Sequence, residues 1–210
     1  MSTRSPSARD ALRFFQALNA LCLGFTILGT VASKRKKRFD KINLRIKDGT
    51  PLSSASSELF LSTSERADIR AKLKAPILPG NKYVKVLLLR INAEMQHSSI
   101  PPYFPEDVSI EHVLPQTPAL RSRWKRVFPN QRRRKELCLS LGNLTLLTQD
   151  ANSAIRNGDF TCKKRDIFGI EGNQAFALNQ RIACAQDWDE DVILSRQDEL
   201  LHVTERLLSP

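Results

Sequence analysis

Ile110-Glu111-His112-Val113-Leu114-Pro115-Gln116, followed by Leu141-Gly142-Asn143-Leu144-Thr145-Leu146-Leu147-Thr148 and then Asn152, is the pattern on which the reading of this chain turns. Ile110 to Leu114 reads as a short apolar strand between Pro105 and Pro115, and Leu144 to Leu147 as a second strand opened by Gly142-Asn143. After Thr148 the polar run Gln149 to Arg156 is competent to start a helix, with Thr148 or Asp150 able to cap it, and such a helix aims Asn152 back at the strand pair. This would gather a histidine, a carboxylate and two carboxamides in one place. A hard cation such as Mg²⁺ prefers oxygen donors and keeps several waters, taking one or two protein ligands plus substrate phosphate, which suits Glu111 and Asn152 as metal ligands. A histidine of near-neutral pKa is the natural base for activating water against phosphorus, and that role falls to His112.

Each of these residues also has a plain structural reading. A lone histidine on an apolar strand is more often a satisfied core residue than a base, and only the surrounding motif reverses that. Glu111 should point to the opposite side of the strand from His112 by simple alternation, so its use as a ligand requires an irregular strand end. Asn143 would hydrogen-bond the loop or orient His112, unless it is only a turn residue after Gly142. Asn152 has N-capping as its bland alternative.

The set resembles the C-terminal nuclease domain of GmrSD-type (type IV) restriction endonucleases, a branch of the HNH, or His-Me finger, nucleases. The matching pieces run in order: Ile110 to Gln116, Trp124, Leu141 to Thr148, Asn152, Asn157, and Phe160 with Lys163-Lys164. Tyr83 to Ile91, and Trp188 with Arg196, are weaker matches on either side, so that about two thirds of the chain is covered. The resemblance implies an α+β fold, mainly helical, enclosing a ββα-metal (HNH) core. It also implies a Mg²⁺- or Mn²⁺-dependent endonuclease acting on DNA, related to restriction or defence, with His112 and Asn143 catalytic and Glu111 and Asn152 on the metal. Asn157 and Lys163 or Lys164 match a family pattern whose lysine suits a phosphate contact, the alternative being a solvated turn and a surface charge pair. The competing functional class is a catalytically idle remnant of a restriction protein that binds nucleic acid or a partner.

Charge points the same way by an independent route. The chain has 33 Lys plus Arg against 22 Asp plus Glu, a formal charge of +11, which suits a polyanionic partner. Lys34 to Arg38 is a run of five cations. Arg121 to Lys135 holds Arg121, Arg123, Lys125, Arg126, Arg132, Arg133, Arg134 and Lys135 without an acid. Charge runs are commonly solvated faces, and for the first cluster the two readings are balanced. The second lies between the halves of the site, which favours backbone phosphate through Arg132, Arg133 and Arg134.

Two hundred and ten residues with 41% apolar content can bury one full core, read here as a helical lead-in over 1–105 packing on a nuclease domain over 106–210. Leu12, Phe15, Asn19, Cys22 and Phe25 recur at helical steps, as do Phe39, Ile42 and Ile46 before Gly49. Ser62 and Glu65 form a capping-box pattern opening a helix through Leu73, and Tyr83 to Ile91 is a further apolar stripe. Pro51 to Ser57 reads as a turn or linker, while Pro101, Pro102 and Pro105 deliver the chain to the site. Beyond Gly169, Ala175 to Cys184 and a helix from Trp188 with Ile193, Leu200, Val203 and Leu207 close the domain. The acids Asp187, Asp189, Glu190 and Asp191 are assigned to that helix's dipole.

The cysteines, Cys22, Cys138, Cys162 and Cys184, form no C-x-x-C pair, so no zinc knuckle is expected, and reduced cysteines fit a cytoplasmic protein. Cys138 and Cys162 are read as core. Ala17 to Ala32 is about 16 apolar residues against the ~20 needed to span a bilayer, so a buried helix is expected and no membrane partner. No P-loop sequence is present, and residues 1–105 show no likeness to the nucleotide-binding domain that accompanies the nuclease domain in the family. The chain is therefore expected to be a stand-alone nuclease, a truncated product, or one subunit of a split system with a separate nucleotide-binding or recognition subunit.

Overall fold

The computed structural model describes residues 7–50, 57–96, 107–155, 157–168 and 176–209. The serine-rich stretch from Pro51 and the prolines at 101, 102 and 105 lie outside them. The described chain is mostly helical, with one small antiparallel sheet, and its contacts divide it into Met1–Lys72 with Glu205–Pro210, and Leu73–Thr204.

In the first unit, α1 (Ala8–Leu28) begins at a capping box. Ser7 Oγ accepts the Asp10 N–H at 3.2 Å while the Asp10 carboxylate accepts the Ser7 N–H at 3.2 Å. It ends at Gly29, whose φ of 71° is the left-handed conformation that glycine adopts without a Cβ penalty. Of the expected stripe of Leu12, Phe15, Asn19, Cys22 and Phe25, only Phe25 is buried and Asn19 half-buried, while Leu12, Phe15 and Cys22 are exposed and Ala17, Ala20, Leu21, Gly24 and Ile27 face inward. Close approach decides this. A Cβ on Gly24 would lie 2.7 Å from a Leu61 methyl, so only the small-residue face of α1 lets Leu61 and Ile69 seat against it. The cap also makes the helix 21 residues long, longer than the 16-residue apolar run, and by length and composition long enough to cross a membrane.

α2 (Ala32–Lys47) carries the first basic run. Arg38 is consumed inside the unit, donating to the carbonyls of Glu58 and Phe60 and pairing with Glu65. α3 (Thr63–Lys74) opens as the sequence indicates, with the Glu65 N–H on Ser62 Oγ at 3.2 Å and the Ser62 N–H on Glu65 Oε2 at 2.8 Å.

The second unit holds α4 (Tyr83–Met95), β1 (Val108–His112), α5 (Arg123–Val127), α6 (Gln131–Cys138), a 3₁₀ turn (Leu141–Asn143), β2 (Leu144–Thr148), α7 (Gln149–Ile155), α8 (Phe160–Phe168), α9 (Ala177–Cys184) and most of α10 (Glu190–Leu207). A boundary at 105/106 falls inside this unit, because α4 packs on β2 and α9. β1 sits two residues earlier than the apolar run suggests. Pairing is antiparallel, from Val108 opposite Thr148 to His112 opposite Leu144, so the strand ends at the histidine and Val113-Leu114 turn into the core.

That core joins Val113, Leu114, Trp124, Phe128, Leu137, Phe160, Trp188 and Ile193. Phe160 lies between the two tryptophans, with ring centroids 6.3 Å from Trp124 and 5.7 Å from Trp188. α10 closes over the turn that leads into β2. Gly142 permits this, since a Cβ there would stand 2.2 Å from the Ile193 carbonyl oxygen. Arg196, buried on α10, donates to the carbonyls of Gly142 and Leu144 at 2.7 Å and of Leu178 at 3.2 Å. Burial lowers its pKa to about 10, which leaves it charged at neutral pH.

Candidate active site

The site forms at the end of β1. Asn143 is fully buried, and its carboxamide makes four hydrogen bonds: Oδ1 accepts from Leu114 N at 2.8 Å and Trp188 Nε1 at 3.0 Å, and Nδ2 donates to Leu114 O and Cys138 O, both at 2.9 Å. Its backbone carbonyl takes the Val113 N–H at 3.1 Å. Of the roles open to Asn143, the structure shows the loop-bonding one. It fixes the two residues after His112 and touches neither the imidazole nor solvent, which makes it a positioning residue.

His112 is held at the edge of this loop with the Gln116 amide 3.2 Å from Nε2 and 3.4 Å from Nδ1. Burial, aided by the nearby Lys163 ammonium, pushes its pKa down to about 4. The ring is therefore neutral at physiological pH and has a lone pair to offer. Gln116 belongs to the quoted motif, yet nothing in the sequence alone assigned it a function.

Glu111 and Lys163 form a buried ion pair. The lysine, on α8, is 1% exposed and donates to a Glu111 carboxylate oxygen and, at 2.8 Å, to the His112 carbonyl. Burial pushes the Glu111 carboxyl up and the Lys163 ammonium down, and the charge of each partner offsets part of the other's shift. Lys163 is thus not the phosphate contact that the sequence suggested, since it lies inside the protein with its charge already matched. Sequence gives no sign of this, because lysines are almost always solvated.

α7 follows β2 without a break, tied at its start by the Gln149 N–H on the Asp107 carbonyl at 2.9 Å. Thr148 takes the capping role, accepting the Ala151 N–H at 3.4 Å, which frees Asn152 from it. Asn152 Nδ2 donates to Ser109 Oγ at 2.9 Å and to the Ile110 carbonyl at 3.3 Å. It is thereby anchored at the peptide that leads into Glu111, with its Oδ1 free of hydrogen bonds among the described residues. A carboxylate on β1 and an amide oxygen tethered to the same strand are the hard donors that a divalent cation of the Mg²⁺ class takes. Among the described residues no three or more His, Cys, Asp or Glu side chains cluster, so such an ion would draw its remaining ligands from water and substrate.

The basic segment is divided by its partners. Arg132 on α6 is 92% exposed at its side chain and, among the described residues, reaches only Glu136, one turn on. Arg133 is bound by Glu190 at 2.7 Å and by Glu136, while Arg134 donates to the Phe128 carbonyl at 2.6 Å. Arg121, Arg126 and Lys135 are exposed. The acids before α10 are likewise used: Asp187 pairs with Arg123, and Asp189 caps the helix through the Val192 N–H at 2.9 Å. Asn157 is exposed in the turn before α8, and Lys164 donates to the Ala185 carbonyl at 2.9 Å. Cys138 is buried, its thiol on the Leu114 carbonyl and pushed up to about 12 by burial, whereas Cys162 is exposed instead of packed in the core.

Residues 63–203, well over half of the chain, match the family model of the C-terminal domain of GmrSD restriction endonucleases. The chain belongs to this family. No curated protein matches it. The matched region takes in β1, β2, α7 and the helices whose side chains enclose them, so Asn143, Trp188, Phe160 and Lys163 all lie inside the GmrSD C-terminal domain. Membership makes the chain part of a nuclease family concerned with restriction and acting on DNA.

Proposed function

We propose that the chain is a divalent-metal-dependent endonuclease that hydrolyses DNA phosphodiester bonds, with β1, β2 and α7 as a ββα-metal core of the HNH type. The observation that carries this reading is the neutral His112 at the end of β1, next to Glu111 and with Asn152 tethered to the same strand. Glu111 and Asn152 would hold Mg²⁺ or Mn²⁺. When bound, such an ion supplies charge for the scissile phosphate and the leaving oxygen.

The chain's own residues do the rest. His112 accepts the proton of the attacking water on a ring nitrogen, which is unprotonated across the physiological range, its depressed pKa making it a weaker base than a solvated imidazole. Asn143 keeps that ring in register by holding Val113 and Leu114, which share one core cluster with Trp124, Phe160 and Trp188. Exposed Arg121, Arg126, Arg132 and Lys135 contact the phosphate backbone without regard to sequence. In the same reading α1 is a packing helix of a cytoplasmic protein.

The test is a plasmid-nicking assay with Mg²⁺ or Mn²⁺. His112→Ala should lower the rate by about 10²- to 10⁴-fold while folding and DNA binding persist. Full activity in that variant would end the mechanism. One observation favours the second reading, a catalytically idle DNA-binding domain: the Glu111 carboxylate is already matched by Lys163. Failure of calorimetry to detect Mg²⁺ or Mn²⁺ with DNA present, together with no nicking by the wild type, would favour it.

A further inference from the structure

We propose that Lys163 is the internal counter-ion of Glu111, holding the carboxylate in place without metal and making divalent-cation binding depend on the arrival of substrate phosphate. This rests on the reading of Glu111 as a metal ligand and adds a control to it.

The geometry leaves Lys163 little else to do. Its side chain is 1% exposed, and two of the three N–H groups of its ammonium are committed, one to Glu111 and one to the His112 carbonyl. Without metal, each partner keeps the other ionised. Where Lys163 is replaced, the Glu111 carboxyl takes up a proton that an incoming divalent cation displaces at pH 8, whereas an ammonium tied to the His112 carbonyl stays in place and opposes that cation. The second bond, to His112, ties the pair to the backbone of the proposed base. Lys163 therefore fixes the carboxylate and the strand end as one unit.

Charge counting gives the consequence. Glu111 contributes one negative charge and Lys163, paired with it, one positive, while the Asn152 carboxamide brings none, so the pair that would meet the cation sums to zero. A divalent cation entering at Glu111 comes close to an ammonium already bound to the same carboxylate, and in a low-dielectric setting that repulsion is large. A phosphodiester brings the missing negative charge. Cation and DNA should thus bind with mutual dependence, and by linkage each must tighten the other by the same factor. A lysine at this place discourages idle metal loading.

Mn²⁺ binding to the full-length chain at pH 8, followed by electron paramagnetic resonance and calorimetry, tests this in a His112→Ala background that keeps the DNA intact. With Lys163 present, a short duplex should tighten Mn²⁺ at least tenfold. Lys163→Met should bind Mn²⁺ at least tenfold more tightly than its parent without DNA, and the effect of the duplex should shrink. Lys163→Arg, which keeps the charge, should retain the parent's weak binding and DNA dependence. Should the Met variant not fold, as judged by circular dichroism, Lys163→Gln removes the charge and keeps a hydrogen-bond donor. A folded charge-free variant with unchanged or weaker Mn²⁺ binding overturns the counter-ion proposal alone. Absence of Mn²⁺ binding in every variant, with and without DNA, overturns the metal-ligand reading of Glu111 and this proposal with it.

Discussion

The indole of Trp188 donates its N–H to the Asn143 carboxamide oxygen at 3.0 Å, and the same oxygen holds the Leu114 N–H at 2.8 Å. One buried side chain therefore links the closing segment of the domain to the loop that follows His112. Asn143→Ala would strand the Leu114 N–H, the Cys138 carbonyl and the Trp188 N–H in the core, and would leave the Leu114 carbonyl to the Cys138 thiol. Buried unmet groups cost about 1–3 kcal/mol each, so three of them make a loss of at least about 3 kcal/mol the expectation in urea denaturation. Trp188→Phe removes one donor, keeps most of the stacking with Phe160, and should cost nearer about 1 kcal/mol. Equal stability of Asn143→Ala and wild type would show that the carboxamide is not what holds the loop.

Stability should also report the depressed His112 pKa. Above pH 6.5 the ring is neutral both folded and unfolded, and it contributes no pH dependence. As pH falls from 6.5 toward about 4, the unfolded chain takes up a proton that the folded ring refuses, so stability is lost across that window. Denaturation midpoints of wild type and His112→Asn, compared from pH 8 to pH 4.5, should diverge below pH 6.5, with the wild type losing ground to the variant that cannot titrate. Parallel curves would place the His112 pKa near its ordinary value.

Gly142 offers a sharper steric test. A methyl there would lie 2.2 Å from the Ile193 carbonyl oxygen and 2.9 Å from the Gln197 nitrogen, backbone atoms that α10 cannot easily move. Gly142→Ala should destabilise by at least about 3 kcal/mol and, by displacing Asn143, should abolish nicking. Gly49→Ala serves as the comparison, because that glycine has a φ of 63° with nothing within 4 Å, so only backbone strain of about 1–2 kcal/mol applies. Thermal melts of the two variants should differ clearly.

The strands, the capping box at Ser62 and Glu65, and the place of Asn152 were legible because they rest on local rules: alternation, punctuation and capping within a few residues. β1 lay two residues off because a turn, not Pro115, ends it, and that turn is set by Asn143, 31 positions after His112. The burial of Lys163 was not legible at all. Its partner Glu111 lies 52 residues away, and nothing in the identity of a lysine announces an interior position. The buried face of α1 departs from the expected stripe everywhere before Phe25 for a related reason. Large apolar residues at helical spacing suggest a core stripe, but Gly24 and the alanines allow closer approach, and packing followed fit over hydrophobicity.

The same limit applies to the basic cluster and yields the last prediction. Sequence presents Arg132, Arg133 and Arg134 as equivalent, whereas the fold leaves only Arg132 largely in solvent, with Arg133 bound by Glu190 and Glu136 and Arg134 on the Phe128 carbonyl. Arg132→Ala should weaken binding to all DNA sequences alike and flatten the salt dependence by up to about 0.9 in log–log slope, one phosphate contact's worth, without changing the melting temperature. Arg133→Ala should leave the slope nearly intact and cost about 0–1 kcal/mol of stability, as expected for a half-exposed ion pair. Filter binding of each variant from 50 to 200 mM salt decides between them. Equal slopes for wild type and Arg132→Ala would mean that α6 faces solvent and the DNA backbone lies elsewhere, and an equal slope change in the Arg133 variant would mean that its ion pairs open on binding.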